Sequence, residues 1–114
     1  MEEIKITTFK EAQAKVKEFA ERNGWVDEPN IDKFEHVHQE ISEIARLFLY
    51  KTPEQMKLIR SEKSEEVESE FGDLLFVITR LANQFDIDMQ TCFNKAHKKI
   101  FAKYEEKRTE HKIV

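Results

Sequence analysis

Two pairs of acidic residues at helical spacing are the chemically most informative feature of the sequence. Glu40 and Glu43 form one pair, and Glu70 and Asp73 form the other. Residues three positions apart lie on one face of a helix, and each pair borders an apolar stripe, so we expect all four carboxylates at the edge of the core. Clustered carboxylates repel one another unless a cation neutralises them. Oxygen-only clusters suit Mg²⁺ or Mn²⁺, and the usual partner of such an ion is a phosphate.

Histidines near the first acidic pair raise an alternative metal chemistry. Glu35 and His38 form one E-x-x-H unit, which is the repeating element of di-iron helical bundles. Such sites need two copies, and no equivalent helix supplies the second. His36 lies on the stripe that carries Glu40, and we expect it to act at most as an outer-shell group.

A basic segment near the C-terminus and a single tryptophan could serve a phosphate ligand. The basic residues are Lys98, Lys99, Lys103, Lys107 and Arg108. They could form a solvated face paired with neighbouring acids, or Lys99 and Lys103 could reach a triphosphate held by the metal. Trp25 could cap the core or stack on a base, and both roles would bury its ring.

Length and composition predict one helical domain. At 114 residues, with 39% hydrophobic and 37% charged residues, the chain suits a single domain over residues 1–114. Two glycines and two prolines leave little material for the turns of a many-stranded protein. The formal net charge of −4 argues against a general nucleic-acid binder, which would carry a basic excess.

Cysteine content and hydropathy bear on location. Cys92 is the single cysteine, so no intrachain disulfide can form and a reducing cytosol is the simplest setting. No N-terminal apolar run resembles a signal peptide, and no stretch approaches the roughly 20 apolar residues of a membrane span. We therefore expect a cytoplasmic protein that does not act at a membrane.

Capping signals divide the chain into about four long helices. Thr8 indicates the start of the first helix and Gly24 its end, with a loop at residues 25–30. The second helix should run from about Asp32 to Tyr50. Helix starts are also indicated at Thr52-Pro53, before a short helical connector, at Ser64 and at Asp88.

Apolar residues at helical spacing predict one core-facing stripe on each long helix. The predicted core residues are Phe9, Ala12, Val16, Phe19 and Ala20; then Phe34, Val37, Ile41, Ile44 and Phe48; then Val67, Phe71, Leu74, Leu75, Ile78 and Leu81; and finally Phe93, Ala96, Ile100, Phe101 and Tyr104. Antiparallel packing of the second and third long helices would bring the two acidic pairs together. We expect an antiparallel all-α bundle completed by oligomerisation.

The acidic motifs and their surroundings resemble the MazG-type nucleotide pyrophosphohydrolases. That family carries E-x-x-E followed by E-x-x-D, which Glu40-Ile-Ser-Glu43 and Glu70-Phe-Gly-Asp73 match. The segment 70–76 resembles the family's E-L-G-D-L-L-F, and 85–88 resembles its L-G-I-D turn. The segment 96–104 aligns with the family's A-N-x-K-F-x-x-R-F, with His97 in place of asparagine and Lys103 in place of arginine.

The resemblance implies an activity and a set of roles. It implies hydrolysis of a nucleoside triphosphate between its α and β phosphates, with Mg²⁺ or Mn²⁺ held by the four acids. Glu43 or Glu70 would accept a proton from the attacking water. Lys99, Lys103, His97 and Trp25 would contact the substrate, and the protein would form a homodimer or homotetramer.

Two other functions remain open at this point. Phosphoribosyl-ATP pyrophosphohydrolase of histidine synthesis shares the fold class and the reaction type, so only the substrate separates it. A non-catalytic helical module would use the same stripes for oligomerisation alone. Its acids would be ordinary surface charges, and Mg²⁺ would not stabilise it.

Overall fold

The computed structural model describes residues 3–25 and 31–112, and every regular element in these ranges is an α-helix. The predicted all-α class is therefore confirmed. The five helices are α1 (Phe9–Arg22), α2 (Ile31–Phe48), α3 (Pro53–Glu62), α4 (Ser64–Gln84) and α5 (Met89–Lys112). Among the described residues, no helix combines the length and apolar character needed to cross a membrane.

Local capping contacts begin the helices where the sequence indicates. The Thr8 hydroxyl accepts the backbone N–H of Glu11 at the start of α1. Thr52 and Gln55 form a complete capping box at the start of α3. Asp88 accepts the backbone N–H and the hydroxyl of Thr91 at the start of α5. These bonds satisfy backbone donors that lack a partner within the helix.

Helix α4 is the centre of the molecule and packs against α1, α2 and α3. The α2 and α4 helices are antiparallel: Phe34, near the start of α2, contacts Phe85, just beyond the end of α4, with ring centroids 5.6 Å apart. Helix α1 also runs antiparallel to α4, since Phe19 meets Phe76 and the earlier Gln13 meets the later Asn83. The prediction that the two acid-bearing helices, α2 and α4, pack against each other is therefore confirmed.

Helix α5 is attached to the rest of the chain mainly at its first turns. The Phe9 and Phe93 rings lie 5.8 Å apart. The side chain of Gln13 accepts the N–H of Met89 at 3.0 Å and donates to the carbonyl of Ile87 at 2.7 Å. Beyond these contacts α5 projects from the body, and the molecule measures 59 × 35 × 33 Å.

Few apolar side chains are fully covered within one chain. Val16 and Ala20 are the buried hydrophobic residues of the described core. Several predicted core residues on the other helices are exposed in a single chain, namely Phe19, Phe34, Ile41, Phe71 and Leu75. The prediction that α5 turns its apolar stripe inward is also wrong for a single chain, because this helix packs mainly against α1 through its first turns. Its exposed members are Phe93, Ile100, Phe101 and Tyr104.

Candidate metal and nucleotide site

The antiparallel register of α2 and α4 brings the two acidic pairs together. Glu43 lies beside Glu70 with its carboxyl close enough for a hydrogen bond, and Glu40 is within electrostatic range of Asp73. In antiparallel helices, one turn forward on α2 lies opposite one turn back on α4. The three-residue spacing within one acidic pair is therefore matched by the same spacing in the other pair. Each i, i+3 pair therefore faces the other across the helix interface.

Three of the four carboxylates form a compact cluster. One oxygen each of Glu40, Glu43 and Glu70 lies within 4.8 Å of the others. Asp73 does not complete this group, but its negative charge raises the pKa values of both Glu40 and Glu70. The structure thus places Asp73 at the border of the cluster.

Burial sets the electrostatics of the cluster. The Glu40 side chain is only 13% exposed, and one oxygen each of Glu40 and Glu70 is buried without a hydrogen-bond partner among the described residues. Desolvation is the largest cause that raises the pKa of each of these two carboxyls. The second-largest cause of the raised pKa of Glu40 is repulsion by the Glu43 carboxylate. For Glu70 it is the hydrogen bond with Glu43.

The donor set fits a hard divalent cation. It consists of carboxylate oxygens alone, which are the ligands that Mg²⁺ and Mn²⁺ prefer. Buried carboxylate oxygens without partners are costly unless a cation or a proton satisfies them. A bound cation would satisfy both orphaned oxygens and remove the mutual repulsion of the cluster.

His36 adjoins the cluster from outside. Its Nε2 atom lies 3.6 Å from Oε1 of Glu40, one turn along α2, and the side chain is 46% exposed. The oxygen that faces His36 differs from the buried Oε2 atom that lacks a partner. His36 therefore adjoins a clustered carboxylate without belonging to the cluster, and its outer-shell role stays a prediction.

Trp25 lies in an aromatic cluster between α1 and α4. Its ring meets Phe19 edge-on with centroids 5.3 Å apart, and Phe19 meets Phe76 in the same manner at 5.9 Å. Phe76 follows Asp73 by one turn of α4. The aromatic cluster therefore lies along the helix from the acids. The remainder of the predicted loop, residues 26–30, lies outside the described residues.

The predicted substrate residues on α5 are not brought to the acids within one chain. Lys99 lines a shallow groove formed by α5 and the turn before it. Neither Lys99 nor Lys103 takes part in the ion pairs of the described residues. His97 stacks on Phe101 of its own helix, with ring centroids 4.1 Å apart.

Two features of the site region were not found from the sequence. Arg80 places its guanidinium carbon 4.2 Å from the centre of the Trp25 ring. The sequence could have indicated this residue, because Arg80 is the single charged residue between Asp73 and Asp86. The second feature is the pair of amides, Gln13 and Asn83, which clamps α1 to the end of α4. Because these two residues are 70 positions apart, no local sequence pattern could predict their contact.

Comparison with known proteins identifies the family. No curated protein sequence matches the chain, and no solved structure does so. The family model of the MazG nucleotide pyrophosphohydrolase domain matches residues 34–112, which contain both acidic motifs and the basic helix α5. Because this match covers most of the chain, the protein belongs to the MazG nucleotide pyrophosphohydrolase family.

Proposed function

We propose that this protein is a Mg²⁺-dependent hydrolase that cleaves a nucleoside triphosphate, ribo or deoxy, between its α and β phosphates. The products would be the monophosphate and pyrophosphate, and the role would be maintenance of the cytoplasmic nucleotide pool. The observation that supports this most is the convergence of Glu40, Glu43 and Glu70, with buried oxygens that have no hydrogen-bond partner in the described part of the chain. Mn²⁺ would substitute for Mg²⁺ because its oxygen preference is similar.

Each acidic residue has a role in this proposal. Glu40, Glu43, Glu70 and Asp73 hold the ion. When bound, Mg²⁺ supplies positive charge that screens the phosphate oxygens and polarises the phosphorus. Glu43 is the exposed member of the compact cluster, so we assign to it the proton of the attacking water. The water oxygen bonds to the α-phosphorus, the bond between that phosphorus and the bridging oxygen breaks, and pyrophosphate leaves with the bond's electron pair.

Oligomerisation is part of the proposal. The chain exposes 9862 Å², whereas a compact monomer of 13.6 kDa exposes about 6,600 Å². Its radius of gyration is 18.3 Å, against about 13 Å for a compact domain of this length. The excess surface exceeds the total area of a standard interface, about 1,600 Å². We therefore propose a homodimer or homotetramer.

A second copy would also supply the cations that the acids lack. The exposed apolar stripe of α5 needs a covering partner, and α5 carries Lys99 and Lys103 on the same helix. Packing of α5 against the acid-bearing helices of another copy would place these lysines near the triphosphate. There they would neutralise the departing pyrophosphate.

The decisive assay separates pyrophosphate from orthophosphate release. The protein is incubated with canonical and damaged nucleoside triphosphates, and with phosphoribosyl-ATP, in Mg²⁺, Mn²⁺ or a chelator. We expect pyrophosphate from triphosphates with either metal and none with the chelator. Orthophosphate as the product would contradict the cleavage position. Pyrophosphate from phosphoribosyl-ATP alone would favour the histidine-pathway reaction.

A thermal shift measurement tests the non-catalytic alternative. A ligand that binds only the folded state raises the melting temperature by linkage. We expect Mg²⁺ to stabilise the protein, and a nonhydrolysable triphosphate to stabilise it further. A melting temperature that neither ligand changes would indicate a helical module without a metal site.

A further inference from the structure

Arg80 is an isolated cation in the apolar part of α4. The twelve residues from Leu74 to Phe85 contain no other charged side chain. The guanidinium carbon lies 4.2 Å over the ring centre of Trp25, a distance typical of cation–π stacking. The ring in turn is held edge-on by Phe19. One face of Arg80 is therefore fixed against an aromatic platform.

Arg80 has no hydrogen-bond acceptor among the residues that the structure describes. The side chain is half-buried, and its Nε atom is buried without a hydrogen-bond partner in those residues. None of the ion pairs among the described residues includes Arg80. A guanidinium carries five N–H donors and no acceptor, and leaving donors unsatisfied in a half-buried position is costly. A ligand acceptor would pair with the guanidinium donors that stay accessible, beside the buried Nε atom.

The position of Arg80 relative to the acids indicates which part of a nucleotide it meets. Arg80 follows Asp73 by seven residues, so the two lie within about 20° of the same line along α4. The rise between them is about 10 Å, and Phe76 lies between them near the same face. A triphosphate bound at the acids would direct its nucleoside along this line. The α-phosphate would remain at the acidic end, and the base would reach the aromatic cluster.

We propose that Arg80 reads the edge of the nucleotide base and selects bases that carry a carbonyl oxygen. This inference rests on the proposed triphosphate hydrolysis. Arginine can only donate hydrogen bonds, and its fork matches adjacent acceptors such as O6 and N7 of guanine. Cytosine, uracil and thymine also present carbonyl oxygens. Adenine has none and places an amino group beside N7, so adenine nucleotides are the disfavoured substrates.

Three variants test this assignment. Arg80→Met keeps a flexible apolar side chain against Trp25 but removes the donors and the charge. Arg80→Lys keeps the charge but loses the planar fork. Arg60→Met, on the exposed surface of α3, is the matched control. Each protein is assayed for kcat/KM with ATP, GTP, CTP and UTP, and circular dichroism establishes that the helices are retained.

Base selectivity is the readout that a purely structural role would not change. The wild-type protein should prefer the three carbonyl-bearing nucleotides to ATP by tenfold or more. Arg80→Met should lower kcat/KM for those three by at least tenfold and change the ATP value less than threefold. Arg80→Lys should recover only part of the loss, and Arg60→Met should match the wild type. An equal fall for all four nucleotides, or unchanged ratios, would overturn the assignment.

A binding measurement separates this proposal from the proposed function. Trp25 is the single tryptophan, so its fluorescence reports binding without turnover. Nonhydrolysable GTP and ATP analogues are titrated in Mg²⁺, with inorganic pyrophosphate as the ligand that lacks a base. We expect tighter binding of the GTP analogue in the wild type, equal binding of both in Arg80→Met, and unchanged pyrophosphate affinity. Equal binding of both analogues by the wild type would refute base reading. Base-selective binding without pyrophosphate release would refute the hydrolysis alone.

Discussion

The pair α2 and α4 and the helix α5 are assembled in different ways, although both carry the charges of the proposed site. The acids lie at an interface within one chain, where Glu40 is nearly covered and carboxylates converge within 4.8 Å. The lysines lie on a helix that touches its own chain mainly through its first turns and exposes its apolar stripe. The contrast teaches that one chain assembles the acidic cluster by itself but not the lysines of α5, which in the proposed oligomer another copy would place.

The largest effect should come from removing one clustered acid. Glu70→Gln removes a carboxylate from the compact cluster, so pyrophosphate release should fall by more than the roughly 10- to 100-fold typical of outer-shell partners. Stabilisation by Mg²⁺ should also disappear. Glu68→Gln, at an exposed position on the same helix, is the control and should retain both properties. Undiminished turnover by Glu70→Gln would contradict the assigned role.

The next effect tests whether the two halves come from different copies. Replacing both Lys99 and Lys103 by Ala should lower kcat/KM by at least tenfold, with less effect on Mg²⁺ binding. Oligomers refolded from an equal mixture of this variant and Glu70→Gln should recover about a quarter of wild-type activity, because half of the dimers are mixed and one of the two sites in each mixed dimer is intact. Mixed oligomers that remain as inactive as their parents would place the lysines in the same chain as the acids.

A smaller effect concerns the pH dependence of the metal-free protein. Glu40 and Glu70 have folded-state pKa values raised above 4.5 by burial and by neighbouring acids. Their contribution to stability is complete below pH 4.5 and is lost as the pH rises through the raised values. The melting temperature in chelator should therefore fall on this account as the pH rises from 4.5 to 7. Glu70→Gln should be more stable than the wild type at pH 7 in chelator, and the difference should vanish at low pH.

The smallest effect should come from Asp88, which caps the start of α5. Its contribution to stability changes with pH in the opposite direction. Hydrogen bonds from Thr91 hold the pKa of Asp88 below its usual value of 3.8. The stabilising contribution is thus present above pH 3.8 and is lost as the pH falls through the lowered pKa. Asp88→Ala should lower the melting temperature by a few degrees at pH 7, with no change in Mg²⁺ binding. A melting temperature that is equally lowered at pH 2 would indicate lost packing instead.

Local patterns predicted the helices well because their causes are local. Thr8, Thr52 and Asp88 cap helices within three residues of themselves, and Gly24 adopts the positive φ expected after a helix end. The acidic pairs also follow from helical spacing alone. What could not be predicted was the contact between Arg80 and Trp25, which joins residues far apart in the sequence, and the isolation of α5 from the core.

By itself, the amino-acid sequence determined the all-α class, the places where helices begin, and the two i, i+3 acidic pairs. Only the tertiary structure decided that Glu43 faces Glu70, that Asp73 stands at the border of the cluster, and that the lysines of α5 lie apart. The physical reason is the distance along the chain over which each interaction acts. Capping and periodicity act over a few residues, whereas register and burial depend on how separate helices share apolar surface.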